Sequence, residues 1–178
     1  VYGADGTCEF CGESKYVVTF ELNSDGKGYT VAGLKKKATI TNGVLIIPGM
    51  YNNLPVTEIK ATAFRPEYDY GTEHKIKKVI IEEGVLQING GAFENCDNIE
   101  EVSLPKSLTR ICYYAFANCE KLKEIVIPAK VVYLESHTFN YCTSLKKVTI
   151  LGDINTSEAA GTAFEGCLNI EEWYGTPC

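Results

Sequence analysis

Long hydrophobic runs are missing from this chain of 178 residues. The longest unbroken aliphatic stretch, Val44 to Ile47, is far short of the roughly 20 apolar residues that a membrane-spanning helix needs. A basic excess is missing too. Lysine plus arginine is 17 against 23 aspartate plus glutamate, a net charge of −6, so no electrostatic footprint for a nucleic acid is present. Histidine is scarce: His74 and His137 lie 63 positions apart, and neither accompanies a recognisable Ser or Cys nucleophile motif. Gly90-Gly91 lacks the Lys-Ser/Thr that would complete a phosphate loop. Without a base–nucleophile pair or a metal set, neither an enzyme nor a cofactor is expected. The composition is otherwise ordinary for a globular chain, 45% hydrophobic and 22% charged, which excludes disorder.

What the chain does have is self-similarity. Five pairs recur: Ala63-Phe64, Ala92-Phe93, Ala115-Phe116, Thr138-Phe139 and Ala163-Phe164, their phenylalanines spaced 29, 23, 23 and 25 residues apart. Three residues after each of the last four stands a cysteine, Cys96, Cys119, Cys142 and Cys167. Six residues after stands an aliphatic, and nine after come Val102, Ile125, Val148 and Trp173. Eight and five residues before the first four phenylalanines lie Val56/Ile59, Val85/Ile88, Leu108/Ile111 and Val131/Leu134. A 23-residue unit falls in the leucine-rich-repeat range, where each coil buries its apolar edge only against its neighbours. The alternation in Leu122-Lys-Glu-Ile-Val-Ile-Pro128 predicts one half-buried parallel strand per coil, stopped by a proline that has no N–H to donate. The Ala-Phe-x-x-Cys stretch is too short for a lone helix and predicts a single helical or 3₁₀ turn.

Upstream, Tyr16 to Leu22 and Tyr29 to Leu34 read as a hairpin around the turn-rich Asn23–Gly28, placed to cap the first coil. Residues 1–12 form an extension carrying Cys8-x-x-Cys11, residues 13–47 a β-rich cap, and residues 48–178 repeats continuous with it. At the far end, Trp173 suits a terminal coil that must close its own core. The 29-residue spacing holds a six-residue surplus between Phe64 and Ile76, rich in Tyr68, Asp69, Tyr70 and His74. Insertions in a solenoid emerge as surface loops, and recognition residues gather on loops carried by rigid scaffolds. These four residues are the candidate ligand site.

The run Leu122-Lys-Glu-Ile-Val-Ile-Pro128-Ala-Lys-Val131-Val-Tyr-Leu134-Glu-Ser-His-Thr-Phe139-Asn-Tyr-Cys142 resembles the BspA-like branch of leucine-rich repeats, as does the lead-in Gly49 to Ile59. The resemblance covers residues 28 to 176. It implies an α/β right-handed leucine-rich-repeat solenoid. It also implies a secreted or cell-surface module that adheres to protein or glycan ligands. The family offers no shared catalytic residue. A passive spacer within a larger surface protein is the alternative.

The remaining candidates each have a bland counterpart. Four aligned thiols suggest a metal ladder, but cysteine is also a small buried hydrophobe, and parallel columns do not converge as a disulfide requires. Cys8-Glu-Phe-Cys11 resembles one knuckle of a zinc ribbon or a thiol-chemistry pair; no second pair follows, and a local disulfide or idle thiols remain open. Lys77-Lys78, Glu100-Glu101, Lys123-Glu124, Lys146-Lys147 and Glu171-Glu172 stack coil upon coil, and six of their eight vertical neighbours join opposite charges. That pattern favours cross-strand pairing over a ligand stripe. Tyr68, Tyr70, Tyr113, Tyr114, Tyr133 and Tyr141 occupy variable columns, where tyrosine supplies rigid contact area or merely shields edges. If only Cys8 and Cys11 pair, titration of the unfolded, unreduced protein should find at least six of its eight thiols free. Four or fewer would overturn the parallel-column argument.

Overall fold

The computed structural model describes residues 16–66, 75–154 and 162–175. Its strands run in chain order as β1 (Val18–Leu22), β2 (Tyr29–Leu34), β3 (Val44–Ile47), β4 (Met50–Tyr51), β5 (Leu54–Ile59), β6 (Lys78–Ile81), β7 (Gln87–Ile88), β8 (Glu101–Ser103), β9 (Arg110–Ile111), β10 (Glu124–Ile127), β11 (Tyr133–Leu134), β12 (Lys147–Ile150) and β13 (Glu172–Tyr174). Successive strands 23 or so residues apart pair in parallel, giving a β-solenoid of about five turns with almost no helix. The expected strand after each Cys turn forms β3-β6-β8 and β10-β12-β13. Between β8 and β10 only a long 3.5 Å bond from the Lys123 N–H to the Glu100 carbonyl is seen in the backbone.

One strand per coil is a correction to make: most coils carry two. The Val56/Ile59, Val85/Ile88, Leu108/Ile111 and Val131/Leu134 columns lead into short strands of their own, β5-β7-β9-β11. A strand of two residues has no alternation long enough to read, which is why the pattern predicted only the longer partner. The expected hairpin is present. β1 and β2 pair antiparallel, and β2 joins this second sheet by running parallel to β5.

The helical turn expected at Ala-Phe is the second difference. Each coil turns here through i→i−3 hydrogen bonds, such as Ala92 N–H to Asn89, Glu94 N–H to Gly91 and Cys96 N–H to Phe93, without becoming a helix. The reason is two columns of left-handed backbone. Thr62, Gly91, Tyr114 and His137 have φ of 57 to 63°, and Asn95, Asn118, Tyr141 and Gly166 have φ of 54 to 78°. A left-handed residue cannot propagate a right-handed helix. Alternate N–H groups therefore point out of the coil and bond to the next one: Phe64 to Ala92, Phe93 to Ala115, Phe116 to Thr138 and Phe139 to Ala163, at 2.7 to 2.8 Å. The turns thus form a third coil-to-coil ladder.

Inside, Phe64, Phe93, Phe116 and Phe139 are fully buried. Their rings, with Phe164, stack at 4.9, 5.1, 5.4 and 5.1 Å and within 10° of parallel. Trp173, in the column of Val148, meets Phe164 edge-on at 5.2 Å and ends the stack. Beside it runs the cysteine column, whose four members, like Cys112, are free thiols. The sulfur is more than a space-filler. Cys96, Cys119, Cys142 and Cys167 each donate to the carbonyl of the phenylalanine one coil earlier, at 3.1, 3.5, 3.2 and 3.0 Å. The Phe93, Phe116 and Phe139 carbonyls also accept the Cys N–H of their own coil. Burial pushes the Cys119 thiol well up, and Cys142 is pushed up by its contact with Cys167 and by burial. The charged pairs bear out the pairing reading: Lys78–Glu101, Lys123–Glu100, Lys146–Glu171 and Lys147–Glu172 close at 2.6 to 3.2 Å.

Phe116→Ala removes a ring held between two others and should cost roughly 3–5 kcal/mol in a denaturant melt. Tyr141→Gly, at an exposed left-handed position, should cost less than about 1 kcal/mol because glycine relieves the backbone that the ring does not stabilise. Equal losses would reverse the assignment of faces.

Candidate functional site

The outward positions of the short-strand sheet are not needed for the core. One residue before each inward Ile or Leu, the parallel register stacks Glu58, Gln87, Arg110 and Tyr133 in a single column. One residue after it comes a second column, Lys60, Asn89, Cys112 and Glu135. The two interlock. Arg110 Nε donates to Glu135 Oε1 at 2.9 Å, and Glu135 Oε2 accepts the Tyr113 N–H at 3.1 Å. The Arg110 guanidinium sits 4.9 Å from the centroid of the Tyr133 ring, within cation–π range. Gln87 Nε2 donates to Asn89 Oδ1 at 2.6 Å, while Asn89 Nδ2 donates to Glu58 Oε2 and to the Ile59 carbonyl.

The coil then turns, and the turn adds an aromatic wall. Tyr113 and Tyr114 are 57% and 42% exposed, and the Tyr114 ring stacks on His137 at 5.1 Å. His137 Nε2 in turn faces Glu165 Oε2 at 2.9 Å. Against this wall lies a groove of about 560 Å³, floored by Ala61, Thr62, Gly90 and Gly91 and flanked by Gln87, Glu94 and Arg110. Cys112 lines it as well. Burial first, and the Glu135 carboxylate second, push its thiol up to about 11.

Tyr113, Tyr114 and Tyr133, drawn from the variable columns of the sequence, converge on this one face; Tyr141 lies exposed in the other left-handed column. Tyr68, Asp69, Tyr70 and His74 lie outside the described residues, as do Cys8, Cys11 and Cys178. Arg65, shortly before the insertion, pairs with Glu94, which lines the groove, at 3.1 Å. Arg110, Gln87 and Glu135 were not singled out by sequence reasoning. The signal that could have found them is their position, immediately flanking the Ile59/Ile88/Ile111/Leu134 column. No group of three His, Cys, Asp or Glu among the described residues is arranged to hold a metal ion.

Residues 57–176 match the model of the BspA type leucine rich repeat region, in six copies. No curated protein matches the chain. Among solved structures, a leucine-rich repeat protein from Bacteroides capillosus is 27% identical, with 79% of this chain and 98% of that one covered and a TM-score of 0.64. A leucine rich repeat protein of T. pallidum is 23% identical, with 90% and 80% covered and a TM-score of 0.63. A leucine rich cell surface protein from Faecalibacterium prausnitzii is 20% identical, with 90% and 53% covered and a TM-score of 0.57. The last two likenesses are of fold alone.

The raised Cys112 value has a kinetic consequence, because the thiolate is the reacting species. At pH 8, alkylation of Cys112 in the folded protein should be about a hundredfold slower than in urea, as read by mass spectrometry of its peptide. The folded rate should climb as pH rises toward 11. For the same reason protonated Cys112 favours the folded state below about pH 9, and that contribution is lost as pH rises through about 11. Equal rates in the two states would remove Cys112 from the buried wall of the groove.

Proposed function

We propose that this chain, which belongs to the BspA-type leucine-rich-repeat family, is a non-catalytic recognition module. It works at the cell exterior and binds a protein or glycan ligand through the face of Gln87, Arg110, Tyr133, Tyr113 and Tyr114. One observation carries the reading. A contiguous tyrosine–arginine surface, built on rigid strands, is left over after the core has taken every inward position. Tyrosine and arginine are the residues enriched at binding hot spots, and rigid strands spare the ordering cost of binding. The family and its fold are generally non-enzymatic, and leucine-rich repeats generally mediate protein interactions. Membership in the BspA-type family supports an exterior location. No helix among the described residues is long and apolar enough to cross a membrane.

In the same reading the coils wind right-handed and the β1–β2 hairpin covers the first of them. In it Tyr68, Asp69, Tyr70 and His74 of the insertion contribute to ligand binding as well.

Saturable binding to a panel of immobilised extracellular-matrix proteins tests the proposal. The intact chain should bind at least one of them. Arg110→Ala with Tyr133→Ala should weaken that binding about tenfold, equivalent to about 1.4 kcal/mol, while the melting temperature holds. Deleting Tyr68 to Glu73, which restores the gap length of the other coils, should weaken it severalfold. Saturable binding that survives all these changes would place the site elsewhere, and no binding to the panel or to a glycan array would make the chain a spacer.

A further inference from the structure

The recognition face has a notch in it. Gly90-Gly91 stands where the neighbouring coils carry Ala61-Thr62, Tyr113-Tyr114 and Ser136-His137. Gly91 answers a backbone need: its φ is 63°, and a Cβ there would lie 3.0 Å from Glu94 Oε2. Gly90 answers none, since it is outside the left-handed region and a Cβ there would make ordinary contact with Tyr113, 3.4 Å from Cδ2. The side chain missing at Gly90 therefore leaves the groove open beside the tyrosine wall. Its volume of about 560 Å³ lies within the range of small-ligand sites.

The chemistry around the notch narrows its occupant. Its acids, Glu94 and Glu135, already face Arg65 and Arg110 at 3.1 and 2.9 Å, so an ionic ligand would meet no uncompensated charge. Hydrogen-bonding capacity does remain. Arg110 meets Glu135 through Nε, leaving both Nη groups, and Gln87 donates from Nε2, leaving Oε1. A purely apolar side chain of a partner would stack on Tyr113 but bury these groups unpaired and pay their desolvation. A ring with an apolar face and a hydroxyl rim satisfies both requirements.

We propose that the Gly90-Gly91 notch binds an uncharged pyranose, its C–H face against Tyr113 and its hydroxyls toward Gln87 and Arg110. This rests on the recognition reading and names the ligand class of one part of that face.

Saturation-transfer NMR tests it, with lactose, cellobiose and chitobiose as uncharged probes and a sulfated heparin disaccharide as the anionic one. At least one uncharged disaccharide should take saturation from the intact protein, and the anionic one none. Gly90→Leu, which puts a bulky side chain into the notch against Tyr113, should lower that signal at least fivefold. Tyr113→Ala should do the same, and carries the test if the leucine variant fails to fold. No signal from any uncharged probe, a signal from the anionic probe alone, or an undiminished signal in both variants would overturn the inference. Matrix-protein binding by the intact chain, measured in parallel, separates the outcomes. Its persistence without sugar binding sinks this inference alone, and the absence of both kinds of binding sinks the recognition reading of the preceding section as well.

Discussion

The phenylalanine stack, running from Phe64 to Phe164 at about 5 Å per step, is the constraint that the other layers of this solenoid obey. A coil-to-coil spacing near 5 Å is also the spacing of hydrogen-bonded strands. The rings can therefore lie flat on one another only if every coil is in register with the next. Each aromatic contact adds about 0.5–1.5 kcal/mol beyond the area it buries, but its larger effect is on uniqueness. A slipped coil would put a phenylalanine against the thiol or aliphatic columns and leave its neighbours' rings half covered. Trp173 ends the series because a ring set edge-on to Phe164 offers no parallel face for another to continue.

Polar satisfaction follows from that register. With the coils aligned, the phenylalanine carbonyl of one coil lies beneath the cysteine of the next, buried from water. A buried carbonyl can accept two bonds, and here the second comes from the thiol. A valine or alanine in the slot would fill space without donating. Where Thr138 replaces the usual alanine before the phenylalanine, its hydroxyl finds the Glu135 carbonyl at 2.6 Å, so the exception is paired as well. The exposed ion pairs on the other sheet act in the same direction but weakly, as screened surface pairs do.

A scaffold that satisfies itself internally leaves its outward columns free to vary. On the long-strand sheet that freedom is taken up by alternating lysine and glutamate, which answer one another from coil to coil. On the short-strand sheet it goes to glutamine, arginine and tyrosine, and at the turn to paired glycines beside paired tyrosines. The contrast between a self-neutralised face and an aromatic one, on the same rigid coils, is what favours the second face as the proposed recognition surface.

The repeat, its period, the inward columns and the salt-bridged stripe were all legible in the sequence, because a solenoid repeats each packing environment once per coil and so prints it as an aligned column. Tyr113, Tyr114, Tyr133 and Tyr141 were legible for the same reason, by failing to fit the core. The second strand of each coil was not, since two residues carry no alternation. Neither were the left-handed turns, although Asn95, Asn118 and Gly166 in one column, and Gly91 in another, hinted at them. Tyr114, Tyr141 and His137 in the same columns hid the hint, because such residues seldom adopt that backbone. The thiol's carbonyl partner lies a full coil away and leaves no local trace. Only the stacking of coils brought Arg110 onto Tyr133 and Glu135, and opened a notch between Gly90 and Tyr113. These residues are 20 or more positions apart in the chain, and their proximity depends on a coil-to-coil distance that no single repeat contains.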